Sequence, residues 1–167
     1  MEVTIDIDAK KLLAAFAAAP DKTRQEMALA MKMAVRDVAE SARRNHRFTS
    51  RGGQLERSIE GKLESSEPLI GSVSAGGDGA GYARAIHDGS GLWGPKRERY
   101  PIVPVHRKAL RWVGGNRFMF AKKVMHPGVK PDPFLTNAVS TEIPNIQKLF
   151  GNAIEKALNG GGTDVVL

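Results

Sequence analysis

Cysteine is absent from the 167-residue chain. That excludes disulfides, thiolate metal sites and a cysteine nucleophile, and it fits a reducing compartment. No apolar run approaches the roughly 18 residues needed to cross a bilayer. The most apolar early stretch, LLAAFAAAP, follows Lys10 and Lys11. An acidic, strand-like MEVTIDID precedes it, where a signal peptide would carry a short basic start, so the chain reads as cytosolic at synthesis. Catalytic signatures are missing as well. The four histidines, His46, His87, His106 and His126, form neither HxH nor HExxH, the spacings that place two ligands on one metal. There is no GxSxG, and no acid pair at a spacing suited to general acid–base work. The glycine-rich AGGDGAG lacks the lysine and hydroxyl residue of a phosphate-binding loop, and no GxGxxG precedes a clear helix. His87 beside Asp88 resembles a base with an orienting acid. Neighbours along a strand point to opposite faces, so no bond between them is expected. His126, before Pro127, reads as a turn histidine. The sequence points to a protein that is not an enzyme and carries no cofactor or metal.

Acidic residues are scarce in one window. Between Lys96 and Lys130 there are ten Lys or Arg and one acid, Glu98, for a net +9. The rest has 15 basic and 17 acidic residues, a net −2. The positive field is therefore local. Such a field suits phosphate backbones, acidic partners or acidic membrane surfaces. The plainer reading is a solvated face that keeps the protein soluble.

The length suggests one domain with a real core. Val3, Ile5 and Ile7 alternate with polar residues and predict a strand, after which Asp8 caps a helix from Ala9 to Ala18. A second helix is expected from Asp21 to Arg44, with Met27, Met31, Ala34, Val35 and Val38 on its apolar face. RRNHRFTSRGG reads as a mobile basic loop. Ile59, Gly61 and Leu63 alternate with charged residues, and LIGSVSA follows, predicting an antiparallel hairpin. Trp93 stands as an anchor in an irregular stretch. Val103 and Val105, ALRWV, and RFMFAKKVM read as strands, with Gly114-Gly115-Asn116 supplying a hairpin turn. MHPGVKPDP is stiffened by three prolines, and Asp132-Pro133 then starts a last helix towards Leu158, with a kink expected at Pro144. The expected fold class is α+β: N-terminal helices, a central antiparallel β-sheet with long hairpins, and a C-terminal helix. It forms one domain over residues 1–158, with a flexible tail over 159–167.

Three stretches occur in a telling order. GGQLERSIEGKLE carries a Gly-x-Leu-x-x-Ser-Ile unit. GYARAIHDGSG carries Tyr-Ala, then an acid, Gly and a small hydroxyl residue. AKKVMHPGVKPDPFLTNAV carries a basic strand, His-Pro-Gly and Lys-x-x-Pro-Phe-Leu. Together they resemble the head–tail connector and tail-completion (minor tail, neck) proteins of long-tailed double-stranded DNA bacteriophages, from about Leu55 to Val139. Where that family often has Thr-Gly before the Leu, this chain has Ser50-Arg51-Gly52-Gly53-Gln54, and where it often has Tyr-Ala-x-x-x-Glu-x-Gly-Thr, Tyr82-Ala83 is followed here by His87, Asp88, Gly89 and Ser90. The resemblance implies a structural protein of the virion neck, present in the host cytoplasm during assembly. It implies a homo-oligomeric ring, a hexamer or dodecamer, with connector and tail-tube or terminator proteins as neighbours and no membrane. Tyr82, His87, Asp88, Phe134 and Leu135 are then candidate subunit contacts. Arg97, Arg107, Lys108, Arg111, Arg117, Lys122, Lys123 and Lys130 are candidates to face packaged DNA, without sequence readout, or an acidic partner. The alternative is a small basic nucleic-acid-binding module, with Trp112, Phe118 and Phe120 as stacking residues. Their strand alternation favours core packing instead. A small hydrolase has no residue support.

Overall fold

Met27, Ala30, Met31, Ala34, Val35, Val38, Ala39 and Ala42 recur every three or four residues, and all are buried. They form one stripe of α1 (Asp21–Arg44), the helix that the apolar spacing predicts, over the same residues. Asp21 in its first turn and Arg43 and Arg44 in its last complement the helix dipole. The computed structural model describes residues 2–5, 21–50, 52–77 and 79–159. In chain order its other elements are β1 (Glu2–Ile5), α2 (Gln54–Arg57), β2 (Glu60–Ser66), β3 (Leu69–Ser74) and α3 (Ala83–His87). Then come a 3-10 turn (Gly91–Trp93), β4 (Tyr100–Ile102), β5 (Leu110–Gly114), β6 (Arg117–Ala121), β7 (Val124–His126) and α4 (Phe134–Asn159). The expected helix over residues 9–18 and the tail from 160 lie outside the described residues.

The class is α+β, with antiparallel strands between helices. The strands form three separate ladders: β1-β3-β2, β4-β7 and β5-β6. The chain groups into two compact units, one made of Met1–Ala83 and Pro133–Leu167, the other of Arg84–Asp132.

In the first unit α1 packs on α4 and on the β2–β3 hairpin. Phe134, Leu135, Ala138, Ile146 and Ala153 of α4 are buried, as is Val73 of β3. Burying one such large side chain is worth roughly 2 kcal/mol. Gly61 of β2 lies so close to the Val35 carbonyl that a Cβ there would overlap it, so the glycine lets helix and strand approach. Pro144 sits inside α4. The first part of the loop after α1, read from sequence as mobile, makes specific contacts. The His46 ring stacks on Phe48 at 3.7 Å, Phe48 meets Phe134 edge-on, and Arg43 donates to the carbonyls of Glu56 and Ile59.

The second unit is built from turns and short ladders. Tyr100 pairs with His126 across β4 and β7. Val103 and Val105 form no strand and are exposed, since β4 ends at Ile102. The run RFMFAKKVM is not one strand. It divides at Lys122-Lys123, because β6 returns along β5 while β7 pairs with β4. Gly115-Asn116 closes the β5–β6 hairpin, with φ at +65° on Gly115.

Candidate functional site

The second and third motifs are brought together in one corner. Ser90 N–H donates to the Val129 carbonyl at 2.9 Å, and Val129 N–H donates to Ser90 Oγ at 3.1 Å. Leu92 N–H donates to the Pro127 carbonyl at 2.8 Å, and Asp132 N–H to the Ile86 carbonyl at 2.9 Å. Four bonds thus tie IHDGSGL to HPGVKPD. The fit depends on glycine. Gly91 and Gly128 both have positive φ, and a Cβ on either would collide with backbone of the facing motif. His126 belongs to this corner. Its Nδ1 accepts a hydrogen bond from Gly128 N–H at 3.0 Å, which leaves the ring proton on Nε2. That is the turn role expected of it.

His87 and Asp88 depart from expectation. They lie at the end of a helix, not along a strand, so their side chains do meet: His87 Nδ1–H donates to Asp88 Oδ1 at 2.7 Å. Arg84, one turn earlier, contacts Asp88 Oδ2 at 3.3 Å. The bond from His87 is the main reason that the Asp88 carboxyl titrates below its ordinary range. Burial opposes this, and Arg84 adds to it. His87 is buried and its ring is held in one orientation, while Asp88 is exposed. The pair closes α3. Among the described residues no group of three or more His, Asp or Glu is placed to hold a metal ion.

The candidate contact residues divide. Tyr82 and Asp88 are exposed, while His87 is buried and offers little surface to a neighbouring subunit. Phe134 and Leu135 are fully buried in the chain's own core, so they cannot contact a neighbouring subunit. They open α4, where Asn137 N–H donates to the Pro133 carbonyl.

All eight candidate basic residues, Arg97, Arg107, Lys108, Arg111, Arg117, Lys122, Lys123 and Lys130, are exposed. Six of them, from Arg107 to Lys123, lie on or beside the β5–β6 hairpin, with no acid among them. Trp93 is a half-exposed surface residue with Lys130 Nζ 5.9 Å from its ring, not an interior anchor. Core packing of Trp112, Phe118 and Phe120 is overturned too. They are 41%, 56% and 66% exposed. The register explains why alternation misled. It places Phe118 and Phe120 on one face, as expected, but among the described residues no third strand pairs with the ribbon. The Arg111 guanidinium sits 4.7 Å from the Phe118 ring centre, a cation–π contact on that open face.

No protein-family model, curated protein or solved structure matches the chain.

Two groups escaped the sequence reading. Ser90 acts as both donor and acceptor to Val129, 39 residues away, and only its place beside two glycines hinted at a tight approach. Leu29 and Met33 belong to the apolar half of α1 by composition, yet they lie on its outer side and are exposed. Their spacing from the buried stripe carried that signal.

Proposed function

We propose that this chain is a structural component of a tailed bacteriophage or prophage: a neck or tail-completion protein that joins tail to head as a homo-oligomeric ring around the DNA channel. One observation carries the reading. Two of the three motifs on which the resemblance rests, GYARAIHDGSG and the HPGVKPD stretch, interlock through hydrogen bonds at a glycine-dependent corner, which makes them a rigid part. The exposed apolar and basic hairpin supports the same reading, because a ring subunit must offer its neighbours surface that it does not cover itself. Connector and tail-tube or terminator proteins would be its further partners, and packaged DNA a loose, sequence-independent one.

Analytical ultracentrifugation and negative-stain imaging over a rising concentration series test this. The expected result is a ring-sized species, and the protein in purified particles. A strict monomer at every concentration, together with absence from particles, would sink the proposal.

The contact of Arg111 with Phe118 favours a second reading, a stand-alone nucleic-acid-binding module. A gel shift at about 150 mM salt separates the two, since a dedicated binder keeps its affinity there while loose phosphate contacts are lost.

A further inference from the structure

Two surfaces of the chain carry complementary patterns. The first is one face of the β5–β6 hairpin. Cross-strand pairs Val113–Phe118 and Arg111–Phe120 share that face. Val113, Phe118 and Phe120 are 67%, 56% and 66% exposed. A two-stranded hairpin is marginal in water without something on its apolar face, and a contiguous exposed apolar patch marks a contact surface. From the turn towards the base the face is first apolar, at Val113 and Phe118, and then mixed, at Arg111 and Phe120; Lys122 and Lys123 follow where the ladder ends.

The second surface is the outer groove between α1 and α4. Leu29, Met33 and Asp37 follow one another at helical spacing along α1. Leu29 and Met33 are exposed, and Leu149 and Ala153 of α4 complete an apolar half-groove beside them. The next stretch of groove is acidic. Asp37 and Glu142 share the amide of Asn145, which donates to them at 3.1 and 3.2 Å. Arg44 reaches Glu40 at 2.5 Å and Arg36 reaches Asp37 at 3.3 Å; both guanidiniums are largely exposed, so an incoming cation would compete with Arg36 at Asp37 and find Glu142 beside it. The groove is thus apolar and then acidic. Leu29 to Asp37 spans about 12 Å at 1.5 Å per helical residue. Phe118 to Ala121, where the ladder ends, spans about 10 Å at 3.4 Å per strand residue, and Lys122 is the next residue.

We infer that the occupant of this groove is a second copy of the chain. The hairpin of one copy lies in the α1–α4 groove of the next, with Phe118 and Phe120 on Leu29 and Met33, and Lys122 and Lys123 at Asp37 and Glu142. Charge complementarity, the shared order of apolar and charged zones, and the matched spans select this partner. Donor and acceptor surfaces differ, so the contact is heterologous and passes from copy to copy, as a closed ring requires. The inference rests on the ring reading above and names its interface.

The absence of cysteine makes the test clean. A Phe118→Cys chain is mixed with a Met33→Cys chain under mild oxidation, at concentrations where ultracentrifugation shows oligomer. The control pairs Phe118→Cys with Ser66→Cys. All three positions are exposed, so folding should survive, and thermal melting checks it. The expected result is a mixed disulfide at least tenfold above the control, reduced tenfold when Leu29→Asp is added to the Met33→Cys chain. Oligomers with no excess cross-link overturn the docking while leaving the ring reading standing. No oligomer and no cross-link overturn the docking, and the particle assay then decides the ring. Protection of Phe118→Cys from maleimide by a DNA duplex, without cross-linking, assigns the face to nucleic acid and overturns it as well.

Discussion

Asp88 reaches back to the end of its own helix, and its charge is what holds the contact. Because its folded-state pKa is lowered, chiefly by the bond from His87, it contributes stability above its unfolded value near 3.9. That contribution is lost as pH falls through the lower folded value. Asp88→Asn should therefore lower stability at pH 7, and the difference from wild type should close below about pH 4. The side chain is 44% exposed, so the loss at pH 7 is about 0.5 kcal/mol. Thermal melts of both proteins across pH 3 to 7 would show it, and a gap that widened in acid would contradict the assigned role. Phe134 and His126 form a second contrast at this scale. Phe134 is fully buried against Phe48, so Phe134→Ala should cost about 3–5 kcal/mol and impair folding. His126 makes one turn bond at the edge of the corner, so His126→Ala should cost about 1 kcal/mol and leave assembly intact. Chemical denaturation of both variants measures the ratio. Equal losses would mean that the corner depends on the imidazole and not on the glycines.

The corner and the hairpin are elements of opposite kind. The corner is held by backbone bonds and glycine contacts. Gly128→Ala places a Cβ against the Ser90 carbonyl at a φ of +94°, so it should cost about 2 kcal/mol or more. Val129→Ala leaves the backbone bonds in place and should cost less. A denaturant series on the two variants checks the order, and a harmless Gly128→Ala would show that the two motifs need not interlock. These elements also mark how far the sequence could be read. The long helices were legible because their apolar residues repeat over many turns: Met27 to Val38 fixed a face, and Asp21 and Arg44 marked the ends. The hairpin turn was legible from Gly115-Asn116. The helices Gln54–Arg57 and Ala83–His87 were not, because four or five residues are too few to show a period, and the His87–Asp88 bond was missed with them. Alternation showed that Phe118 and Phe120 share a face. It carries no information on whether anything covers that face, which depends on residues far along the chain. Contacts such as Ser90 to Val129 are of the same long-range kind.

At the scale of the whole molecule the deciding property is where the charge lies. Ten basic residues stand in one short window, and the remaining chain is slightly acidic. On the proposed reading a chain so divided would attract other copies of itself and would attract phosphate, and salt would weaken both. The two attractions differ in what they select. Subunit docking needs the apolar face as well as the charge, so part of its affinity survives screening. Contact with duplex DNA through lysines and arginines alone scales with the counterions released, so its affinity falls steeply and evenly for every sequence. Two unrelated 30-base-pair duplexes should therefore bind equally at about 50 mM salt and be largely released at about 200 mM. Self-association measured by ultracentrifugation in the same buffers should fall by a much smaller factor. Replacing Lys122 and Lys123 with Gln should flatten the salt dependence of DNA binding by about two units of log–log slope if both contact phosphate. Tight, sequence-selective DNA binding that persisted at 200 mM salt would instead make the hairpin a nucleic-acid reader and leave the ring without its proposed interface.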